Sequence, residues 1–443
     1  MMRILFCGAE CTPFAKTGGL ADVIGALPKE FKGDVDVIMP AYRGILEGLN
    51  TEDIQTFYVK ELNRKAEVIL YHKDSINYYF VINDFYYDRD SIYNQPDDAE
   101  RFAFFNIVIK KFALKRGYDI VHCHDWHTGM VPFLLRGRIK TVFTIHNLAY
   151  QGSFSKDTAD LFNKENREFY IWGNFNYMKI GIMFADIITT VSKTYSKEIL
   201  TKEFGCGLED VLKSREDDLY GIINGIDYTE FNPEIDKALE YTYNSDTWQT
   251  KSKNKHALQE ELNLPKSDNM MISVISRLTE QKGIDLLAEI MPKMVKLDIQ
   301  FILLGSGDKK FEQKLMNFNE LPNVSINIGY NDPLARRIYA SSDLFLMPSK
   351  YEPCGLSQLI SYKYGTLPLV RSTGGLKDTV KDYGKGGLGF VFDEYSAEAF
   401  FRTVLQANNV YSTGVTGIAK AAMELDFSFS KSKEEYMRLY RRV

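Results

Sequence analysis

Long apolar runs are missing from this 443-residue sequence, which has no stretch of about 18 apolar residues of the kind that spans a membrane. The apolar stretch that follows Arg3 is too short for a secretory signal peptide and is better interpreted as a first buried strand. The cysteines are few, odd in number and scattered along the chain: Cys7, Cys11, Cys123, Cys206 and Cys354. Such cysteines are typical of reduced thiols. We therefore expect a cytoplasmic protein without a membrane partner.

An excess of positive charge is also missing, since 54 Lys and Arg against 59 Asp and Glu give a net charge of −5. Proteins that bind the phosphate backbone of nucleic acids need a basic face, so nucleic acid is not an expected partner. Any anionic ligand must be small and held locally. Hydrophobic residues make up 45% of the chain, which is enough for globular cores, and the length suits two or three domains.

Complete nucleotide-binding and zinc motifs are absent as well. Gly305-Ser306-Gly307 begins like the dinucleotide loop G-x-G-x-x-G, but Lys310 occupies the third glycine position. The Walker pattern, C-x-x-C and H-E-x-x-H do not occur. An NAD-dependent dehydrogenase and a P-loop enzyme therefore lose their main support.

Short apolar runs alternate with helical patterns such as Glu100–Lys115. The runs lack strict polar alternation, which is typical of parallel strands covered on both faces. They are Val35–Met39, Asp119–Cys123, Lys140–Ile145, Ile187–Val191, Met271–Ile275, Gln300–Leu304, Leu344–Met347 and Leu367–Val370. This order predicts a doubly wound α/β architecture, with a β-hairpin at Glu67–Asn83.

A polar segment without apolar periodicity, residues 232–250, separates two halves of the pattern. A helix over His256–Leu262 and a new strand from Met271 follow it. We therefore expect a first domain at 1–245, a second at 246–425 and a C-terminal helix within 426–443.

One short motif occurs twice, as Thr17-Gly18-Gly19-Leu20-Ala21-Asp22 and as Thr373-Gly374-Gly375-Leu376-Lys377-Asp378. Each copy lies between a predicted strand and a predicted helix. Glycines there let a ligand approach the backbone, and free N–H groups at a helix start attract anions. The alternative, that the glycines only form tight turns, stays open.

Charged side chains follow several predicted strands. Arg277 and Lys282 bracket the loop after Met271–Ile275, and Lys16 precedes the first glycine pair. Ligands of open α/β sheets bind at the carboxyl ends of strands, and cations placed there suit a diphosphate. Glu352 follows Leu344–Met347, just before a helix start expected at Gly355, and its carboxylate is suited to sugar hydroxyls. Cys354 is a weak candidate nucleophile, because no base is assigned to it.

Histidines cluster in the segment His122-Cys123-His124-Asp125-Trp126-His127. They suggest a metal site, but no complete ligand motif accompanies them. We interpret the segment instead as polar groups at a strand end, where His, Asp and Trp hydrogen-bond to and stack on a sugar. Packing, with helix capping by Asp125, is the alternative. His146 follows Lys140–Ile145 in the same kind of position.

Several segments together resemble bacterial glycogen synthases and plant starch synthases, in order from residue 3 to about 392. They are Lys16–Val23, His124–His127, His146–Gly152, Asn224–Asp227, Arg277–Gly283, Tyr351–Leu356 and Thr373–Leu376. The resemblance implies the GT-B fold, with two Rossmann-like domains facing a deep cleft and a C-terminal helix that crosses back to the first domain. It also implies glucose transfer from ADP-glucose to the non-reducing end of an α-1,4-glucan such as glycogen, with retention at the anomeric carbon and without a metal or other cofactor.

The same resemblance implies two sets of site residues. The donor-binding set is Lys16, Gly18, Gly19, Asn224, Cys354, Gly355, Leu356, Thr373, Gly374 and Gly375. The catalytic set is Asp125, His146, Arg277, Lys282 and Glu352. Arg277 and Lys282 are expected to neutralise the leaving diphosphate, and Glu352 and Asn224 to bind donor-sugar hydroxyls. His146 is expected beside the reacting carbon, and Asp125 near the sugar or the acceptor.

The expected chemistry builds negative charge on the leaving diphosphate, which preorganised cations and helix N-termini stabilise. Many retaining glycosidases use a carboxylate nucleophile, but none is evident here, so same-face attack assisted by the departing phosphate is favoured. Ile360 stands eight positions after Glu352, where wider GT-B families carry a second Glu. The alternatives are UDP-glucose as donor, a different acceptor, or a non-catalytic glucan-binding homologue; the oligomeric state is not predicted.

Overall fold

The computed structural model describes residues 2–443, which divide into two compact units. The first unit runs to Gly225 and also includes Phe429–Val443, whereas the second is Ile226–Ser428. The division therefore lies upstream of the boundary expected near residue 245. Residues 226–245 belong to the second unit because they are anchored there: the Ile226 N–H donates to the Phe427 carbonyl at 2.8 Å, and the buried Tyr243 hydroxyl donates to the Tyr364 carbonyl at 2.7 Å.

Within the described part of the chain, the first unit is built on a nine-stranded sheet of order β12-β11-β7-β6-β1-β2-β5-β4-β3, with a three-stranded sheet of order β8-β10-β9 beside it. The strands are β1 (Ile4–Cys7), β2 (Val35–Pro40), β3 (Glu52–Val59), β4 (Arg64–Lys73), β5 (Ile76–Ile82), β6 (Ile120–His124), β7 (Lys140–Ile145), β8 (Ser153–Phe154), β9 (Tyr170–Ile171), β10 (Asn174–Asn176), β11 (Ile187–Thr190) and β12 (Leu219–Gly221). Strands β4 and β5 pair antiparallel, which confirms the predicted hairpin, and β3 extends it at the sheet edge. The strands from β12 to β5 in that order pair in parallel.

Helices follow most of these parallel strands. They are α1 (Gly19–Ala26), α2 (Asp84–Tyr87), α3 (Asp98–Arg116), α4 (Val131–Leu135), α5 (Tyr177–Phe184), α6 (Lys193–Glu198) and α7 (Glu209–Lys213). The C-terminal helix, Phe429–Tyr440, packs against the 3-10 turn Leu27–Phe31 of the same unit. The predicted helix Glu100–Lys115 lies inside α3, whose apolar face is buried.

The second unit, residues 226–428, carries a six-stranded, wholly parallel sheet of order β15-β14-β13-β16-β17-β18. Its strands are β13 (Met270–Ile275), β14 (Ile299–Gly305), β15 (Val324–Ile328), β16 (Leu344–Met347), β17 (Leu367–Arg371) and β18 (Phe390–Phe392). Its helices are α8 (Lys251–Glu261), α9 (Ile284–Met294), α10 (Lys309–Met316), α11 (Asp332–Ser341), α12 (Ser357–Lys363), α13 (Gly374–Thr379), α14 (Ala397–Thr413) and α15 (Thr416–Met423). The alternation of strand and helix confirms the predicted doubly wound architecture.

Helix α8 begins five residues before the predicted start at His256. Its buried face includes Lys251 and Lys255, so the sequence shows no apolar periodicity there. The Lys251 ammonium donates to the carbonyls of Tyr339 and Tyr364 and to the Thr366 hydroxyl, all within 3.0 Å. The apolar part of a long side chain can be buried while its charge is satisfied by such acceptors. In a sequence pattern such a lysine counts as a polar, exposed residue, although in the structure its side chain is buried.

The glycines at the end of β14 and in the loop after it allow two loops of the second unit to pack closely. A Cβ on Gly305 would lie 1.9 Å from the Ser276 carbonyl oxygen, and one on Gly307 would lie 2.5 Å from the Leu278 carbonyl oxygen. These glycines let the loop after β13 lie directly against the loop after β14, which accounts for a G-x-G pair without a third glycine. No helix within residues 2–443 has the length and apolar character to cross a bilayer.

Candidate active site

Asp125 joins the ends of two neighbouring strands in the first unit. It follows β6 in the left-handed region, with φ of 56°, and its Oδ1 accepts the backbone N–H of His146, which follows β7, at 2.7 Å. The side chain makes no capping bond to the 3-10 turn Trp126–Thr128 that it precedes. Burial raises the pKa of Asp125 to about 7, against the opposing effect of the His146 and Asn147 amides. A strained backbone held by such a contact is typical of functional positions.

The raised pKa of Asp125 predicts a pH dependence of stability. Because the folded state holds this proton up to about pH 7 and the unfolded state only to its ordinary value of 3.8, stability is lost as the pH rises between these values. The loss amounts to roughly 1.4 kcal/mol per pH unit. We expect Asp125→Asn, which does not titrate, to gain melting temperature relative to the native protein between pH 5 and pH 7. A melting-temperature difference that stays constant across this range would contradict the assignment.

The histidines of the β6 segment hydrogen-bond to protein groups. The His122 ring nitrogens lie 2.7 Å from the Tyr440 hydroxyl and 2.6 Å from the Thr144 hydroxyl, and His124 Nδ1 lies 2.9 Å from His146 Nε2. Within residues 2–443, no three His, Cys, Asp or Glu side chains are arranged to hold a metal ion. The segment therefore organises His146 through side-chain contacts.

Trp126 does not fit the expectation that it stacks on a sugar, since it is buried within the first unit. Its ring packs against Phe102, with centroids 4.9 Å apart, and a Cβ on Gly152 would lie 2.2 Å from it. His127 is also buried and stacks on Tyr93, with centroids 4.7 Å apart. Both side chains therefore belong to the packed interior of the first unit, directly after Asp125 in the chain.

The first glycine pair is held by Glu10, a residue that the sequence analysis did not single out. The buried Glu10 carboxylate accepts the Thr17 N–H, the Thr17 hydroxyl at 2.7 Å, the Gly18 N–H at 3.1 Å and the Tyr93 hydroxyl. Two of the amides expected to attract an anion thus face a carboxylate. Lys16 Nζ forms an ion pair with Asp22 at 2.7 Å. The position of Glu10 shortly after β1, at the carboxyl edge of the sheet, is the signal that could have identified it.

Helix α1 begins at Gly19, directly after Gly18. Asn224 is buried and follows β12, which is separated from β7 by β11. In the first unit, therefore, the structure brings Asp125 and His146 into contact. The Lys16 turn follows β1, which is separated from β7 by β6 in the sheet. Asn224 follows β12, which lies on the other side of β7 in the strand order.

The second unit gathers its predicted residues after three adjacent strands, β13, β16 and β17. Lys282 Nζ donates to Glu352 Oε2 at 2.6 Å, and the Ser349 hydroxyl donates to the same oxygen at 3.1 Å. Glu352 is buried, whereas Arg277 is exposed and donates to Gln281 Oε1 at 3.1 Å. A buried carboxylate, its ammonium partner and an exposed guanidinium therefore occupy one edge of this sheet.

The second glycine pair packs against the loop that carries Glu352. Gly374 has φ of 45°, and a Cβ there would lie 1.9 Å from the Glu352 carbonyl oxygen; one on Gly375 would lie 2.2 Å from the Cys354 carbonyl oxygen. A Cβ on Gly18, by contrast, would have nothing within 4 Å. Gly374 and Gly375 are therefore required for close packing, whereas Gly18 has open space beside it.

Helix α12 begins at Ser357 with Leu356 as its N-cap, two residues after the start expected at Gly355. Gly355 has φ of 73°, and the carbonyls of Cys354 and Gly355 accept the Gln358 side-chain amide at 3.1 and 3.0 Å. The turn is thus fixed in a conformation that leaves its first helical amides at the same edge as Thr373, the N-cap of α13. The start of α12 and the two cations Arg277 and Lys282 at one edge suit an anionic ligand.

Comparison with known families agrees with this division of the chain. A family model for the starch synthase catalytic domain matches residues 3–214, and one for glycosyl transferases group 1 matches residues 254–409. The glycogen synthase of Desulforudis audaxviator is 42% identical over 99% of this chain and 96% of its own length. The glycogen synthase of Bacillus cytotoxicus is 43% identical over 100% of this chain and 99% of its own length. The chain belongs to the glycogen and starch synthase family.

Solved structures give the fold of this synthase. The catalytic domain of starch synthase IV from Arabidopsis thaliana, bound to ADP and acarbose, matches with a TM-score of 0.92 and 30% identity over 100% of this chain and 99% of that one. The sucrose-phosphate synthase of Thermosynechococcus elongatus matches with a TM-score of 0.65 at 16% identity, which shows the fold alone. The synthase therefore has the GT-B fold of two Rossmann-like domains, and it is a glucosyltransferase of glycogen or starch synthesis.

Proposed function

We propose that this synthase transfers glucose from ADP-glucose to the non-reducing end of an α-1,4-glucan such as glycogen, with retention of the anomeric configuration and without a metal ion. The observation that carries the proposal is the set of charges after β13 and β16: the exposed Arg277 and the Lys282–Glu352 pair at 2.6 Å. The starch synthase IV structure, whose ligands are ADP and acarbose, supports a nucleotide donor and a glucan acceptor.

The second unit suits the donor. Arg277 and Lys282 supply positive charge where the sugar–phosphate bond breaks and negative charge grows on the diphosphate. The amides that begin α12, at Ser357 and Gln358, add hydrogen-bond donors at the same edge. These groups supply charge stabilisation that a metal ion provides in other nucleotide enzymes, which is why we propose a reaction without one.

The Lys282–Glu352 contact places side by side one group suited to phosphate and one suited to sugar hydroxyls. Lys282 orients the buried Glu352 carboxylate by direct hydrogen bonding. A carboxylate accepts hydrogen bonds from sugar hydroxyls, while the ammonium has further donors for phosphate oxygens. We therefore propose that Glu352 binds the glucosyl hydroxyls and Lys282 the leaving diphosphate.

The first unit contributes His146, Asp125 and the Lys16 turn to the same transfer in this proposal. Burial lowers the pKa of His146 to about 3, so its imidazole is neutral and a poor proton acceptor at neutral pH. The proton of the attacking glucan hydroxyl then has a better destination in the departing phosphate. Retention follows if the hydroxyl attacks from the face that the diphosphate leaves. The cytoplasm is the proposed location, because all five cysteines are reduced thiols.

The proposal is tested by incubating the purified chain with glycogen and either ADP-glucose or UDP-glucose, in buffer with and without EDTA. We expect release of ADP with incorporation of glucose into glycogen, a higher kcat/KM for ADP-glucose than for UDP-glucose, and no effect of EDTA. The newly formed linkage should be α-1,4, as judged by its complete removal with a β-amylase that digests from the non-reducing end.

Each alternative has its own outcome in this assay. Preference for UDP-glucose, or transfer to a small sugar but not to glycogen, would replace the proposed substrates. Glycogen binding without nucleotide release from either donor would identify a non-catalytic homologue. Loss of activity in EDTA that Mg²⁺ restores would exclude the metal-free reaction.

A further inference from the structure

The buried imidazole of His124 contacts the half-buried imidazole of His146, at the ends of the neighbouring strands β6 and β7. His124 Nδ1 and His146 Nε2 are 2.9 Å apart, a hydrogen-bonding distance. The other ring nitrogen of His124, Nε2, is buried and has no hydrogen-bond partner among the described residues. His124 therefore makes one ring hydrogen bond, and that bond goes to His146.

The distribution of protons in this pair follows from the burial of His124. Burial holds the pKa of both imidazoles below the ordinary value, so each ring is neutral and carries one N–H. If the proton of His124 were on Nε2, a buried N–H would have no acceptor. If it is on Nδ1, it is donated to His146 and only a lone pair is left without a partner. Orphaned buried N–H groups are rarer in proteins than unsatisfied acceptors, so the second arrangement is favoured.

We propose that His124 is a positioning residue that donates its Nδ1–H to His146 Nε2 and thereby holds His146 as the Nδ1–H tautomer. The remaining polar atom of the His146 ring is then a hydrogen-bond donor. Under the proposed function, on which this inference rests, His146 offers that donor to an oxygen of the sugar and does not act as a base.

The surroundings of His124 keep its ring from rotating. The His122 ring stacks on it with centroids 4.2 Å apart and planes 27° apart, and Phe6 lies against both rings at 4.7 and 5.2 Å. His122 is itself fixed at both nitrogens by Tyr440 of the C-terminal helix and by Thr144 of β7. Because a flipped His124 would lose its bond to His146, this packing sets the tautomer as well as the orientation.

The tautomer can be measured directly, because the chain has only six histidines. In the full-length protein labelled with ¹⁵N-histidine, two-bond ¹H–¹⁵N correlation spectra distinguish protonated from unprotonated ring nitrogens. Spectra of His72→Gln, His256→Gln and His146→Gln assign the signals. We expect His146 with a protonated Nδ1 and an unprotonated Nε2; the opposite pattern in the native protein would overturn the proposal.

Two substitutions at His124 test its effect on His146. The side-chain amide of His124→Asn carries N–H groups on an atom bonded to Cγ, as Nδ1 is, whereas His124→Leu has no donor. We expect the leucine variant to lose the single Nδ1–H tautomer and to lower kcat by about 10- to 100-fold with a smaller change in KM. The asparagine variant should restore both the tautomer and most of kcat.

Unchanged His146 signals in a folded His124→Leu protein, as judged by circular dichroism, would overturn the proposal. So would equal loss of kcat in both variants. The spectra do not depend on turnover, so a native protein with the expected tautomer but no transfer from ADP-glucose would refute the proposed function and leave the pairing of the two histidines standing.

Discussion

Replacing Lys282 by alanine is expected to lower kcat by about 10²- to 10³-fold, the range for losing one preorganised charge or donor in a transition state. The loss has two parts in this structure. The ammonium no longer meets the growing charge of the diphosphate, and the buried Glu352 keeps only the Ser349 hydroxyl as a partner from its present pair. Without its ammonium partner, the Glu352 carboxylate also repels the negative charge that develops on the leaving diphosphate, which raises the energy of the transition state further. Because Arg277 is exposed, whereas Lys282 is hydrogen-bonded to the buried Glu352, we expect Arg277→Ala to lower kcat less than Lys282→Ala.

A double variant separates charge from structural damage at this site. The double variant Lys282→Ala/Glu352→Gln removes the carboxylate that Lys282→Ala leaves without its ammonium partner. We expect its melting temperature to be higher than that of Lys282→Ala, and its kcat to stay as low. Lys350→Ala is the matched control: this lysine forms an exposed ion pair with Glu280 at 2.7 Å, and exposed pairs contribute little. Its kcat should equal that of the native protein. Near-native kcat in both Lys282→Ala and Arg277→Ala would remove the diphosphate assignment.

Gly374→Ala is expected to destabilise the second unit by about 3 kcal/mol or more, since it combines a left-handed backbone with a steric clash. The added Cβ would lie 1.9 Å from a backbone oxygen of Glu352, and backbone cannot move aside as a flexible side chain can. The same substitution at Gly18 meets open space, with an extended backbone of φ −155°. Gly18→Ala should therefore melt like the native protein but bind ADP-glucose more weakly, because the resemblance places the donor at this turn.

Thermal unfolding of both variants, followed by donor titration at fixed glycogen, measures this contrast. Gly417→Ala is the control for a glycine with open space and no left-handed φ. Because Gly417 lies in α15, this variant should melt at or slightly above the temperature of the native protein, with native donor affinity. A stable Gly374→Ala protein would contradict the packing argument. Native donor affinity in Gly18→Ala would show that the open space at this glycine does not receive the donor.

Parallel strands were the most predictable part of the fold. Strands such as β14 and β16 are buried along their whole length, so their sequences are mainly apolar runs. Strand β3 was not predicted, because it lies at the sheet edge and all but one of its residues are exposed or half-buried. The start of α8 was misplaced because the buried Lys251 has no apolar signature.

The site was predictable where it depends on strand ends and not where it depends on contacts distant in sequence. Arg277 and Glu352 were identified because each follows a buried apolar run. Glu10 and Tyr93 bond across 83 residues, and no local pattern reveals such a pair. The burial of Trp126 was also invisible, because its partners lie on α3 and in the loop at Gly152.

The first unit is not continuous in sequence, because its final helix, Phe429–Tyr440, follows the whole second unit. During translation, the ribosome must therefore add about 200 residues, Ile226–Ser428, between the two parts of that unit, which takes roughly 10 to 40 s. Throughout this interval the His122 ring is without Tyr440, its partner at 2.7 Å. The unit that contains His146 is therefore completed only after the whole second unit and then the helix Phe429–Tyr440 have been synthesised.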